Sequence, residues 1–397
     1  MVLLHGARQC GKTTLARMIA ERRLGTYVSL DDEAELRIAQ ADPITFLLGR
    51  RHPLIVDEIQ LGGDRVVRAV KQLVDADPTP GRFLLTGSTN FLTVPTISES
   101  LAGRVQIFHL GPLSEAELAG VPPTAIDAWF DGAPKTTAAG RTSRDEYLTL
   151  VCRGGYPEVV GLAPDRRRRW FRGYVETVTQ RDIAALADVR RIAALPALLR
   201  WTAGMTSGHV NLSNAARRLQ TSRAAIMSYF EWLQTVFLIY ELPPWSRHLP
   251  GRPVRRSKYH ITDSGLAAAL LAVDAPALAA PTAPAAGSLL ETFTVNEVAR
   301  QVSASARDCT LWHYRDNQGR EVDLVLEDPG GAVVAVEVKA TQSPDPRQLR
   351  PLAWLRDRLD AVAPGTFRAG VLLHTGHQSG KLDDRLHLHP IDSLWRI

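Results

Sequence analysis

The chain has 397 residues, of which 45% are hydrophobic and 22% charged. That balance excludes a disordered chain, and the length calls for two or three domains, because a single core stops growing beyond about 250–300 residues. No uninterrupted apolar run of about 18 residues occurs, so no membrane span is expected. No basic n-region or cleavage site opens the chain, so no signal peptide is expected. The three cysteines, Cys10, Cys152 and Cys309, are odd in number and far apart, which predicts a reduced, cytoplasmic protein without a disulfide frame or zinc site. The net charge of +5 fits a nucleic-acid partner.

Residues 1–120 alternate strand and helix patterns. Val2–Leu4 reads as a short strand, Thr13–Arg22 as a helix, Tyr27–Leu30 as a strand ending at Asp31 and Asp32. Leu54–Val56 reads as a buried strand, Arg65–Val74 as a helix and Phe83–Thr86 as a strand. This order predicts an α/β fold with a parallel sheet. Residues 121–205 begin with Pro- and Gly-rich text to Gly140 and continue as a mostly helical lid or linker region from Arg144 to Ala203. Within 206–273, two short helices flank a turn near Gln220–Thr221. They read as a helix-turn-helix, with Leu238–Thr262 supplying a β-hairpin wing and Ile226, Phe230 and Leu233 as core. Asp274–Gly287 is rich in Ala and Pro and reads as a linker. Residues 285–397 then give helix Leu289–Val302, strands near Thr310–Tyr314, Glu321–Leu326 and Val333–Val338, helix Arg347–Leu359 and strand Arg368–His374.

The opening strand runs into Gly6-Ala7-Arg8-Gln9-Cys10-Gly11-Lys12-Thr13-Thr14, a match to G-x-x-x-x-G-K-[ST]. The backbone N–H groups of such a loop cradle phosphates, and the helix that follows adds its positive N-terminal end. Lys12 is placed for the β- and γ-phosphates and the Thr13 hydroxyl for Mg²⁺. Lysine is scarce, with only Lys12, Lys71, Lys135, Lys258, Lys339 and Lys381, so a lysine inside a motif carries weight. Leu54-Ile55-Val56-Asp57-Glu58 supplies the second half: Asp57 at the strand end for the Mg²⁺ shell, Glu58 to orient and deprotonate the attacking water. Ser88, with Thr86 and Asn90 as alternates, ends the neighbouring strand as a γ-phosphate sensor. Arg104 is a candidate arginine finger, in cis or in trans. Arg8 has no role that spacing assigns.

HGARQCGKTT, VSLDD, LIVDEIQ and LLTGS, followed by LAGR and LGPLSEAEL, resemble a prokaryotic group of AAA-type ATPases whose C-terminal half is a domain of unknown function. The resemblance continues through GGYPEVV, TQRDI, KYHITDSGL, LLETFTVNEV and EVDLVLE…VEVKA, nearly the whole chain. It implies ATP as the nucleotide; sites of this type often lie between subunits, which leaves both a homo-oligomer and a monomer open. Members carry a further segment ahead of the first strand, so a shortened N-terminus with fewer base contacts is expected here.

Asp323 and Glu337-Val338-Lys339 fall in consecutive predicted strands, with Glu337 and Lys339 on one face. Two carboxylates and an ammonium converging on a sheet can hold Mg²⁺ and place a water against a phosphodiester. The block resembles the PD-(D/E)XK nuclease core, with Glu291 rather than Glu297 as the acid from its first helix. Ser222, Arg223 and Ser228 are candidate major-groove contacts. Arg217, Arg218 and Arg166–Arg169 are candidate phosphate contacts. His260, Asp263, His374, His377, His387 and His389 lack metal-ligand spacing.

These readings combine into a Mg²⁺-dependent ATPase that couples hydrolysis to binding or action on DNA. One alternative is a nucleotide switch for a protein partner, with a silent nuclease-like module. The other is an ATP-regulated metal nuclease.

Overall fold

The computed structural model describes residues 1–88, 103–132, 140–184, 194–246 and 256–396. The chain divides into two compact units. The first holds Met1–Pro112, Val178–Val189 and Phe230–Leu238; the second holds Leu113–Thr177, Arg190–Tyr229 and Ile239–Ile397.

In the first unit, β1 (Val2–His5), β2 (Thr26–Ser29), β3 (Leu54–Asp57), β4 (Phe83–Gly87) and β5 (Gln106–His109) form one sheet in the order β2-β3-β4-β1-β5. Every pairing is parallel. The expected α/β class is therefore observed. Between the strands run α1 (Lys12–Arg23), α2 (Glu33–Ala41), α3 (Pro43–Leu48) and α4 (Gly63–Ala76). All four residues of β3 are buried, as a central strand covered on both faces requires. α4 lays Val66, Val67, Val70 and Leu73 on the sheet, a stripe at helical spacing that packs with Leu3, Leu54, Val56 and Leu85. Of the two aspartates after β2, Asp32 accepts from the Ala34 N–H at 2.8 Å and so caps α2. Because all strands point one way, the loops leaving β1, β3 and β4 emerge along one edge, where β1 and β4 pair His5 with Gly87.

The second unit opens with α5 (Glu115–Leu118), α6 (Ala125–Phe130), α7 (Arg144–Arg153), α8 (Pro157–Val160) and α9 (Pro164–Thr177). The Pro- and Gly-rich stretch contains α6, whose Trp129 and Phe130 are buried. Next come α10 (Leu195–Gly204), β6 (Gly208–His209), α11 (Leu212–Arg218) and α12 (Arg223–Thr235), whose last residues, from Phe230, belong to the first unit. Asn211 caps α11 through the Ser213 and Asn214 N–H groups. Gln220, at φ 50, turns the chain between the two helices. Ile226, Phe230 and Leu233 are buried. β7 (Ile239–Leu242) and β8 (Lys258–Ile261) pair antiparallel, and β6 adds to β8. The middle of the expected wing, 247–255, lies outside the described residues.

α13 (Ser264–Leu271) and α14 (Ala275–Ala279) follow. The segment expected as a linker thus folds: Asp274 caps α14 through Ala277 N–H, and Leu278 is 1% exposed. α15 (Ala286–Ala304) leads into β9 (Thr310–Arg315), β10 (Glu321–Glu327), β11 (Val333–Lys339), α16 (Arg350–Val362), β12 (Phe367–His374), β13 (Gly380–Asp383) and β14 (Leu386–Pro390). The six strands form one sheet, β13-β14-β12-β11-β10-β9. It is parallel at β11–β12 and β12–β14 and antiparallel elsewhere. Its core packs Val325, Val333, Ala335 and Leu372 against Leu352, Leu355 and Leu359 of α16.

Candidate functional site

The loop Gly6–Gly11 joins the end of β1 to the start of α1. Its path depends on Gly6: a Cβ there would sit 2.0 Å from the Leu110 carbonyl oxygen, so only glycine allows this approach. Cys10 fixes the far side, its Sγ–H donating toward the carbonyls of Ala7 at 2.9 Å and Leu110 at 3.2 Å. Lys12 is 5% exposed and folds back over the loop. Its ammonium donates to the Gly6 oxygen at 2.9 Å and the Ala7 oxygen at 2.7 Å. His5, at the end of β1, is pushed down to about 4 by burial and by the nearby Lys12 charge, so it stays neutral at pH 7.

Asp57, at the end of β3, gathers the neighbouring loops. Its Oδ2 accepts from Thr13 Oγ1 at 2.8 Å and from the Tyr27 hydroxyl at 2.6 Å. Its Oδ1 accepts from the Thr86 hydroxyl. Glu58 follows with left-handed backbone, φ 54, and its N–H donates to Thr86 Oγ1 at 3.1 Å. The Gln60 amide reaches the Glu58 carboxylate and, at 3.3 Å, Ser88 Oγ. The sheet edge thus brings together Gly6, Ala7, Cys10, Lys12, Thr13, Asp57, Glu58, Thr86 and Ser88. A hydroxyl and a carboxylate 2.8 Å apart form a hard-oxygen pair of the kind Mg²⁺ takes. Asn90 lies outside the described residues.

Three partners here escape sequence reasoning: Tyr27, Gln60 and Asp182. The Arg8 guanidinium meets the Asp182 carboxylate at 2.6 Å. Asp182 comes from the short turn Val178–Asp182, which belongs to the first unit. Burial raises the Asp182 pKa, and the Arg8 charge works against that rise. The stretch TQRDI carries no local pattern that ties it to the loop.

Arg104 requires a correction. Its guanidinium pairs with Asp75 near the end of α4, and its carbonyl accepts from the Met1 amino group at 3.2 Å. Gln106 of β5 is in register with Val2, at the start of β1. Arg104 therefore lies at the strand-start edge of the sheet, whereas the Gly6–Gly11 loop leaves the strand-end edge. An arginine finger in cis is not available in this arrangement.

In the second unit, Glu291, Glu321 and Asp323 meet around the ammonium of Lys258, at 2.9, 2.6 and 3.3 Å. The Lys258 side chain is 2% exposed. Burial disfavours its charge, but the surrounding carboxylates outweigh burial and its pKa rises. Asp323 Oδ2 accepts from the Val338 N–H at 3.0 Å. Lys339 donates to Glu337 Oε1 at 2.5 Å. Burial first, then the Asp323 charge, pushes Glu291 and Glu337 each up to about 8. Glu297 points elsewhere, bonded to the Glu115 N–H and to Arg300. Glu291 and Asp323, expected to share a Mg²⁺ site with Glu337, face the Lys258 ammonium in this structure. Among the described residues, no three His, Cys, Asp or Glu side chains are arranged for a metal ion. Among them, too, no helix is long and apolar enough to cross a membrane.

Comparison with known proteins fits this picture. An AAA domain matches residues 1–119, a domain of unknown function, DUF8612, matches 144–277, and a second, DUF4143, matches 286–394. The AAA match supports ATP binding and ATPase activity. The uncharacterized proteins Rv2008c of Mycobacterium tuberculosis and Mb2031c of Mycobacterium bovis are each 30% identical over 378 residues, 93% of this chain and 77% of theirs. Among solved structures, the Thermotoga maritima RuvB Holliday junction branch migration motor is 19% identical. That match covers 61% of this chain and 82% of that one at a TM-score of 0.29, too low to build on. The chain thus belongs to one family with the two mycobacterial proteins, and its N-terminal part is an AAA domain.

Proposed function

We propose that the chain is a Mg²⁺-dependent ATPase whose hydrolysis drives or gates its action on DNA. The observation that carries this reading is the bonded group of Thr13, Asp57, Thr86 and Glu58 beside the Gly6–Thr13 loop. The amides of Ala7, Arg8, Gln9, Cys10, Gly11, Lys12, Thr13 and Thr14 are assigned to the phosphates. Lys12 would exchange two neutral carbonyls for phosphate oxygens, trading ordinary hydrogen bonds for charge-assisted ones about twice as strong. Thr13 and Asp57 would hold Mg²⁺, which supplies positive charge against the β- and γ-phosphates. Glu58 is assigned to orient and deprotonate the attacking water. Thr86 fixes its backbone, and Gln60 links it to Ser88, the proposed γ-phosphate sensor.

The DNA half rests on the helix pair α11–α12, the antiparallel strands that follow in a winged-helix-like order, and exposed arginines. Arg217, Arg218 and Arg223 are exposed on these helices, as are Arg166, Arg168 and Arg169 on α9. Turnover of ATP by the full chain, with and without single- and double-stranded DNA across a salt series, tests both halves. Glu58→Gln should lower kcat by about 10²–10⁴-fold, and Lys12→Ala should abolish turnover. DNA stimulation should fall as salt rises. Turnover indifferent to Glu58→Gln would sink the catalytic half; absence of stimulation at low salt would sink the DNA half.

A second reading is a nucleotide switch for a protein partner, with a nuclease-like C-terminal module that does not cut. It is favoured by one observation: Lys258 already engages the carboxylates that a metal nuclease would need. This reading predicts ATP-dependent association with a partner and no DNA cleavage in Mg²⁺.

A further inference from the structure

The cluster around Lys258 is a closed set. A lysine ammonium has three N–H donors, and three carboxylate oxygens receive them, from Glu291 on α15 and from Glu321 and Asp323 on β10. Glu321 and Asp323 are two residues apart on one strand and share a face. The distances of 2.6–3.3 Å suit an ammonium, whereas Mg²⁺ draws its oxygens to about 2.0–2.1 Å. Other cations surround the set: Arg315 meets Glu321 at 3.0 Å and Lys339 meets Glu337 at 2.5 Å. One acceptor is left over. Glu337 Oε2 is buried without a hydrogen-bond partner, although the residue is 4% exposed. A buried Glu337 oxygen without a hydrogen-bond partner, on the strand paired with that of Asp323, next to an ammonium held by three acidic side chains, points to a cation site filled by the chain itself.

We propose that Lys258 is a built-in organic cation that stands where a divalent metal would stand between Glu291 and Asp323. Replacing it with a neutral side chain frees Glu291 and Asp323 to draw together on a divalent cation. The proposal stands apart from the ATPase reading, because none of these residues belongs to the first unit. It also gives KYHITDSGL a chemical role that its place in the sequence does not reveal: β8 delivers the lysine.

Binding of Mn²⁺ to the full-length, nucleotide-free chain, followed by the loss of the free-Mn²⁺ paramagnetic resonance signal, tests it. Wild type should take up no Mn²⁺ that Asp323→Asn removes, even at millimolar metal. Lys258→Met keeps most of the apolar stem and should bind one equivalent, at least about tenfold tighter than wild type. Adding Asp323→Asn to Lys258→Met should abolish that uptake. Wild-type binding that is lost on Asp323→Asn overturns the proposal without recourse to any Lys258 variant. So does a folded Lys258→Met chain that binds none. Should Lys258→Met be unstable, Mn²⁺ should raise its melting temperature while leaving wild type unmoved; failure of that rescue overturns the proposal equally. Loss of ATP turnover in Glu58→Gln bears on the first unit alone, so the two ideas fail separately.

Discussion

Arg8 lies inside a loop built for phosphate, yet its guanidinium is held by Asp182. The partners are unequal: the Asp182 side chain is 4% exposed and that of Arg8 30%. Removing the arginine strands a buried carboxylate, whereas neutralising the acid leaves a half-wet arginine that water can serve. Arg8→Ala should therefore destabilise the nucleotide-free protein by about 1–3 kcal/mol, and Asp182→Asn by clearly less, read from urea midpoints. Equal losses would mean that the pair is ordinary surface chemistry. The same contrast explains what can be read in advance. Lys12, Thr13, Asp57 and Glu58 sit in strand–loop–helix patterns whose meaning is local. Asp182 and Lys258 act at a distance along the chain, on residues to which no spacing rule connects them.

At the scale of elements, the motifs of the second unit explain one another. GGYPEVV, KYHITDSGL, LGPLSEAEL and LLETFTVNEV read as separate signatures, but they meet in one buried polar knot. Asp263 caps α13 through the Leu266 N–H at 3.0 Å, accepts from the Gly155 N–H at 2.8 Å and pairs with Arg300. Gly154, at φ 70, has no alternative: a Cβ would lie 2.2 Å from Asp263 Oδ1. Glu297, fully buried on α15, accepts from the Glu115 N–H at 2.9 Å and from Arg300 at 3.2 Å. Burial, opposed by Arg300, pushes Glu297 from its ordinary 4.5 up to about 8. Between those values the folded chain keeps a proton that the unfolded chain releases. Stability from this group is therefore whole below about pH 4.5 and is lost as pH rises through about 8. The slope reaches at most about 1.4 kcal/mol per pH unit. Glu297→Gln should flatten the fall in urea midpoint between about pH 5 and 8; an unchanged slope would show that Glu297 is ionised throughout. The strands and helices of this unit are legible because apolar runs bounded by turn residues announce them. The Ala/Pro segment 274–287 is not, because alanine serves a short packed helix as well as a linker.

At the scale of the molecule, sequence order is a poor guide to which segments fold together. The first 120 residues read as one domain, but the first unit also takes in Val178–Val189 and Phe230–Leu238, and Phe237 stacks edge-on against His5 at 5.2 Å between ring centres. Apolar and aromatic residues in a helical stretch carry no label for the core they join. The parallel sheet also decides how Arg104 can act. With β5 starting beside Val2, this residue is a strand's length from the phosphate loop of its own chain. An arginine finger at this position would have to reach into the site of a second copy. Arg104→Ala retains its own loop and Glu58 but offers no finger; Lys12→Ala offers a finger but cannot hold phosphate. Each variant alone should be inactive, and turnover should return when the two are mixed, because mixed assemblies contain sites with both parts. Turnover by wild type should also rise faster than linearly with protein concentration near the assembly threshold. Mixtures that stay inactive, while sedimentation shows the subunits assembled together, would remove Arg104 from the catalytic machinery and leave it as the exposed partner of Asp75.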